Sequence, residues 1–193
     1  MQILSFPEAS TPRDLRVQVR ALQDVAWPTT GGSGTPHDAP VHDTALHPRS
    51  MLLVEDGTVL AALDVLTKDL THAGRTYRAG GLSTVVTHPE RRRRGHGRHL
   101  VSAGRAFMVE QDLDLGLFTC DRPLRPFYES AGWEALPATV LVGGTPDAPF
   151  PSDVPGFDKV TMAAFFSSAA RQHRPDFDEA RLELYPGRID QLW

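Results

Sequence analysis

Pro89-Glu90-Arg91-Arg92-Arg93-Arg94-Gly95-His96-Gly97-Arg98-His99-Leu100 is a glycine-containing basic loop that runs directly into an amphipathic helix. Upstream, Leu82 to Thr87 (L-S-T-V-V-T) is an extended, β-branched run, and Pro89 ends it because proline has no N–H for a sheet ladder. Downstream, Leu100, Ala103, Gly104 and Phe107 recur at helical spacing, so an apolar stripe begins within a turn of Gly97. A strand, a loop and a helix in this order aim backbone N–H groups and the positive end of a helix dipole at one spot. Gly95 and Gly97 let a phosphate come close. The pattern predicts a pyrophosphate cradle. It lacks the Lys-Ser/Thr ending of a nucleoside-triphosphate loop, and a dinucleotide fingerprint is incomplete because His99 and Leu100 follow Arg98.

A second block lies a short distance on. Leu115 to Cys120 (L-G-L-F-T-C) reads as a short buried strand, followed by D-R-P-L-R-P-F-Y-E-S-A-G-W from Asp121 to Trp133. Together the two blocks resemble the GNAT superfamily of N-acetyltransferases. The coenzyme A loop of that family is Gln/Arg-x-x-Gly-x-Gly/Ala, which Arg92, Gly95 and Gly97 fill. The family often has glycine where this chain has Arg93. Its pattern after the fifth strand is Asn-x-x-Ala-x-x-Phe-Tyr-x-x-x-Gly-Phe, and Phe127, Tyr128, Gly132 and Trp133 match at the right offsets. Asp121 and Leu124 replace the usual Asn and Ala. Within the superfamily the chain looks most like the aminoglycoside 2'-N-acetyltransferase group, which also ends in a Gly-containing tail closing on an aspartate and a tryptophan, here P-G-R-I-D-Q-L-W.

Composition is consistent with one domain. The chain has 193 residues, against about 150 residues per domain as a prior. We expect residues 1–193 to form a single acetyltransferase domain with a long loop at 28–48 and an acceptor-side tail at 174–193. The resemblance implies an α/β fold whose mixed, mostly antiparallel sheet splays between its fourth and fifth strands and is flanked by helices. Cys120 is the sole cysteine, which excludes an internal disulfide; its place on a core strand makes it a small buried hydrophobe. No leader-like or membrane-length apolar run is evident, so a cytoplasmic protein with no membrane partner is expected. Net charge is -4, and the arginines concentrate in one loop rather than spreading over a face. Nucleic acid is therefore not expected as a partner; a homodimer is allowed for.

Along the chain, Met1 to Phe6 reads as a strand. Thr11, Pro12 and Asp14 open a helix, with Thr11 as cap and Leu15, Val19, Leu22 and Ala26 on one face. Pro28 to Pro48 is rich in Gly, Pro, His and Thr and reads as irregular. His37, His42 and His47 lie in it with Asp38 and Asp43. Their wide spacing argues against a metal site and for a solvated loop, with a lid over the acceptor as an intermediate reading. Met51 to Val54, Asp56-Gly57 and Thr58 to Leu66 form a hairpin, because Asp-Gly supplies the turn's positive φ angles. Lys68 to Gly74 reads as a polar turn and Thr76 to Thr87 as the next strand. Ala138 to Val142 and Val160 to Phe166 are expected as late strands around a proline-rich loop from Gly143 to Gly156, and Ala180 to Tyr185 as a further pairing segment.

The resemblance makes acetyl-CoA the cosubstrate and direct attack by an amine in a ternary complex the reaction. Backbone groups from Arg93 to Arg98, including Arg94 and His96, would hold the pyrophosphate, with the Arg92, Arg93, Arg94 and Arg98 side chains adding screened attraction. N–H groups near Val85, Val86 and Thr87 would bind the pantetheine arm and polarise the thioester carbonyl if the sheet leaves them unpaired. By resemblance Tyr128 is the acid that protonates the departing thiolate. The general base is not identified. The aminoglycoside group has Glu then Gly where Ser83 and Thr84 align, so Ser83 becomes an acceptor-side contact, with Asp190 and Trp193 in the acidic tail. A small, cationic primary amine is the expected acceptor. A non-catalytic acyl-CoA sensor and a peptide amino-terminal acetyltransferase are the alternatives, and a pure sensor has no need of the Tyr128 phenol.

Overall fold

The computed structural model describes residues 1–28, 39–157 and 159–185. The strand expected at the start is β1 (Gln2–Pro7), and the first helix is α1 (Arg13–Ala26). β2 (Arg49–Glu55), β3 (Thr58–His72) and β4 (Arg75–Thr87) follow as a meander. Two-residue turns join them. Asp56-Gly57 has φ of 48° and 74°, and Ala73-Gly74 has φ of 47° and 73°. Positive φ at both central positions matches the right-handed twist of the flanking strands, which places Gly in each.

Lys68 to His72 is therefore strand, not the polar turn expected. Leu66 and Leu70 stay buried on alternate residues, and the Lys68 ammonium donates to the Leu184 carbonyl, so the polar residues occupy the outer half of a long hairpin. The helix cap also differs. Pro12 is the N-cap of α1, with no side-chain capping bond, and the Thr11 hydroxyl is buried without a partner in the described residues. Proline has φ suited to the cap but no side-chain acceptor, so chain geometry sets this end of the helix.

After β4 the chain enters α2 (His96–Glu110), β5 (Leu115–Asp121) and the short α3 (Arg125–Glu129). β6 (Glu134–Ala135), β7 (Val140–Thr145), β8 (Ala148–Pro151), β9 (Lys159–Phe165), α4 (Ser168–Gln172) and β10 (Arg181–Glu183) complete the described elements. One sheet has the order β1-β2-β3-β4-β5-β9-β6, a smaller one β10-β7-β8. The expected loop at Gly143 to Gly156 thus contains a hairpin arm, β8. Its prolines Pro149 and Pro151 are tolerated because β8 is an edge strand that need not donate outward.

Every neighbouring pair in the large sheet is antiparallel except β4 and β5. These two are paired only at Ala79 opposite Leu115 and Gly80 opposite Gly116. Beyond Gly80 they diverge, which is the expected splay. The ladder of β3 and β4 also breaks: Ala62 faces Val86 and Asp64 faces Ser83, so one extra residue of β4 bulges, with Thr84 at φ 50°. Helices cover the two faces. Leu15 and Leu22 of α1 pack with Leu52, Val54, Ala62 and Val86, whereas Leu100, Val101 and Met108 of α2 pack with Met51, Leu53 and Leu63. Alternate residues of β2 divide between the two clusters, as strand pleating requires.

Candidate active site

The basic loop leaves β4 through a single 3-10 turn at Pro89–Arg91 and reaches α2 with Arg93 at φ 61° and Gly95 at φ 82°. Arg93 adopts the left-handed conformation that favours glycine, at the position where the related pattern often has glycine. Gly95 is the N-cap of α2, and helix geometry leaves the N–H groups of His96, Gly97 and Arg98 without acceptors four residues back. A Cβ at Gly95 would meet nothing within 4 Å. At Gly97 it would come within 2.8 Å of Thr87 Oγ1 and 3.3 Å of the Phe127 ring. Gly95 leaves space for an anion, and Gly97 permits close contact between the helix start, β4 and α3.

Beside this loop lies a cleft of about 670 Å³. It is lined by Val85, Val86 and Thr87 of β4, by Arg91, Arg92, Arg93 and Gly95 to Arg98 of the loop and helix start, and by Leu124, Phe127, Tyr128 and Ser130. Sequence-predicted cofactor residues converge here, and Ala26 at the end of α1 joins them. Arg94 is exposed and stands outside the lining. The cleft follows β4 beyond its last pair with β5, and its helix-start N–H groups and lining arginines fit a long ligand with a pyrophosphate at one end.

Tyr128 is 6% exposed. Its ring meets Phe127 edge-on at 4.9 Å and Phe118 at 4.8 Å, and Phe118 in turn meets Trp133 at 4.7 Å. This aromatic stack fixes the phenol's ring on the cleft wall. Burial, then the neighbouring Cys120 and Asp121, push the phenol well above its ordinary pKa, so it is a protonated donor at neutral pH. Burial also pushes the Cys120 thiol up to about 11, consistent with a core residue.

Ser83 has a different setting from the one expected for an open acceptor contact. It is buried, and its Oγ lies 3.1 Å from His42 Nε2. His42 is also buried, which corrects the solvated-loop reading; His47 is exposed, as that reading requires. The ring's Nδ1 faces Glu8 Oε1 at 3.5 Å and Asp64 Oδ2 at 3.9 Å. Glu8 accepts from the Val41 N–H at 2.7 Å and the His42 N–H at 3.3 Å. The hydroxyls of Ser50 and Thr84 each donate to Asp64 at 2.6 Å. Burial drives Asp64 upward against the pull of His42 and these hydroxyls. Burial also works to raise Glu8, but the His42 ring and the two backbone donors outweigh it and leave its pKa low.

Sequence reasoning missed this cluster. Asp64 carried a signal, being a lone carboxylate in the apolar run Val59 to Leu66; Glu8 carried none. Asp190 and Trp193 lie outside the described residues, as do His37 and Asp38. The described part of the tail is docked. Phe177 is fully buried against Tyr77 and Phe165, Leu182 lies in β10, and neither lines the cleft. Arg174 pairs with Glu134 and Asp178, and Arg181 with Asp153, so much of this tail's charge is matched locally.

Solved structures share this architecture. An acyl-CoA N-acyltransferase from Pseudomonas aeruginosa is 15% identical with a TM-score of 0.58, covering 84% of this chain and 97% of that one. An aminoglycoside 6'-N-acetyltransferase complexed with coenzyme A is 13% identical with a TM-score of 0.61, covering 86% and 98%. GCN5 from Tetrahymena is 13% identical with a TM-score of 0.55, covering 86% and 97%. At such identities the likeness is one of fold, and nothing singles out the 2'-specific aminoglycoside group. A search of curated protein sequences finds no match. Among the described residues no helix is long and apolar enough to cross a membrane. The family model for the acetyltransferase (GNAT) domain matches residues 11–136, a span that runs from the start of α1 through both motif blocks. With most of its length inside that match, the chain belongs to the GNAT acetyltransferases, enzymes whose acyl donor is acetyl-CoA.

Proposed function

We propose that this enzyme transfers acetyl to the primary amine of a small, cationic acceptor by direct attack within a ternary complex, with Tyr128 as the acid. The observation that carries the reading is a buried, protonated phenol on the wall of the cleft that Val85 to Thr87 also line. Bound acetyl-CoA supplies a thioester carbonyl to be attacked and a thiolate leaving group. The chain's own residues do the remainder. Gly95, His96, Gly97 and Arg98 hold the pyrophosphate through backbone N–H groups, while Arg92 and Arg93 add salt-sensitive attraction. The His88 N–H donates to Leu60 and Val86 pairs with Ala62, so that edge of β4 is taken up by β3 and Val86 only lines the cleft; the N–H groups of Val85 and Thr87, on the other edge, orient the arm and polarise the carbonyl where β4 has parted from β5. Tyr128 delivers its proton to the departing sulfur. The sequence pattern names Asp190 and Trp193, outside the described residues, as candidate acceptor contacts, a carboxylate to favour a cationic amine and an amphipathic ring.

The test is thiol release from acetyl-CoA against aminoglycosides, polyamines, amino acids and peptides, followed by Tyr128→Phe on the best acceptor. We expect turnover to fall about 10²-fold with acetyl-CoA affinity held, because the lost interaction grows as sulfur charge develops. Equal turnover where chemistry limits the rate would leave Tyr128 as packing only.

A further inference from the structure

We infer that His42, poised by Glu8 and Asp64 and in contact with Ser83 on the strand that goes on to line the cleft, is the proton acceptor of the transfer. The inference rests on the acetyltransferase reading above and adds the base that reading lacks. Three titratable side chains from distant segments are gathered in a buried cluster: Glu8 after β1, His42 from the 39–48 segment and Asp64 on β3. Such a gathering costs desolvation that a purely structural site avoids with apolar side chains. Its position is specific. β4 is paired to β5 only as far as Gly80 and begins to line the cleft at Val85. Ser83 lies between, two residues before Val85 across the bulge at Thr84, on the span of β4 that is not paired to β5 and along which the acceptor nitrogen is proposed to approach.

The tautomer follows from the partners. Nδ1 faces two carboxylates and so carries hydrogen, which leaves Nε2 as the acceptor beside Ser83 Oγ. An ammonium acceptor has three protons and the amide product keeps one. One of the two lost ends on the coenzyme A sulfur by way of Tyr128. The other passes to Ser83 Oγ as that hydroxyl gives its own proton to His42 Nε2, the nitrogen lone pair forms the N–C bond, and the C–S bond breaks. The imidazolium, held between the carboxylates, then returns its proton to solvent. Other charges near the cluster come from α1, where Arg16 and Arg20 line a small polar cavity with Glu8 and Asp64; Ser50 of β2 and Thr84 of β4 present only hydroxyls to Asp64. His42 and the two carboxylates are positioning groups acting through Ser83.

Two variants test this. Glu8→Gln removes a negative charge from beside the ring, so the His42 titration followed by NMR in the unliganded protein should move down by about one pH unit. The acid limb of kcat/KM should move with it by the same amount. A structural role would move the NMR midpoint and leave the kinetic limb in place, and that result overturns the inference. Ser83→Ala leaves the three titratable groups intact and carries the test even if Glu8→Gln unfolds. It should lower kcat/KM at neutral pH about 10²-fold without changing acetyl-CoA affinity, and the deficit should shrink at alkaline pH, where the free amine predominates. Wild-type turnover in Ser83→Ala removes this inference alone. Wild-type protein that binds coenzyme A yet acetylates no amine removes the acetyltransfer reading, and this inference with it.

Discussion

Gly95→Ala should separate the two consequences of a left-handed glycine, because Gly74 provides a matched control. Both have positive φ, 82° and 73°, and in both a Cβ would meet nothing within 4 Å. Alanine at either site therefore adds conformational strain without a clash, about 1–2 kcal/mol for a left-handed L-residue. In a protein of this size that is a melting-temperature loss of about 2–8 °C. The sites differ in what surrounds them. Gly74 sits in the turn between β3 and β4 and is not part of the cleft lining, whereas Gly95 lines the cleft at the start of α2. A methyl there displaces an anion from the helix-start N–H groups, and losing one charge-assisted hydrogen bond costs about 1.5–3 kcal/mol. That is roughly a 10- to 150-fold loss of coenzyme A affinity. Calorimetric titration of both variants, beside their thermal melts, reads the difference. Equal melting losses with coenzyme A affinity unchanged in Gly95→Ala would refute the cradle.

Gly97→Ala should weaken coenzyme A binding by another route, since its methyl would press on Thr87 Oγ1 and Phe127 and push α2 away from β4 and α3; unchanged affinity and melting would show that the close approach is not needed. Cys120, with its pKa near 11 and its side chain in the core, should resist an aromatic disulfide reagent at pH 8 until denaturant is added; prompt labelling of native protein would contradict its burial. Glu8 has a folded pKa below its ordinary 4.5, so its ionisation contributes stability that is present above that value and lost as pH falls through the folded pKa. The stability gap between wild type and Glu8→Gln should therefore be full at pH 6 and close below pH 4.5. A gap independent of pH would mean that Glu8 acts through packing rather than charge.

What the sequence disclosed is what short spacing encodes. Gly95 and Gly97 before a helical stripe, and Phe127-Tyr128 before Gly132-Trp133, are local patterns whose geometry follows from a few consecutive φ values and one packing contact each. The hairpin at Asp56-Gly57 is of the same kind. The β8 arm was obscured because Pro149 and Pro151 resemble loop punctuation unless the segment is known to be an edge. Thr84 is harder still: a β-branched residue gives no hint that it will take φ 50°, because the bulge is imposed by how β3 and β4 pair. The buried cluster lies furthest from legibility. Glu8, His42 and Ser83 are brought together only after β1 pairs β2, β3 crosses to β4 and the 39–48 segment folds back over Glu8, so no window of sequence contains the arrangement.

The two sides of the proposed site consequently rest on different parts of the chain. The proposed cradle depends on backbone N–H groups, and the side chains of Arg91 to Arg94 and Arg98 around it are exposed. The proton-handling side depends on side chains that are individually replaceable and jointly costly to bury. Removing Asp64 alone would leave the Ser50 and Thr84 hydroxyls without their shared acceptor and His42 with one carboxylate instead of two. Removing His42 alone would leave two buried carboxylates without the ring that faces both of them. A change of acceptor chemistry in this fold is therefore expected to replace Glu8, His42 and Asp64 together, while the Gly95 and Gly97 cradle stays as it is.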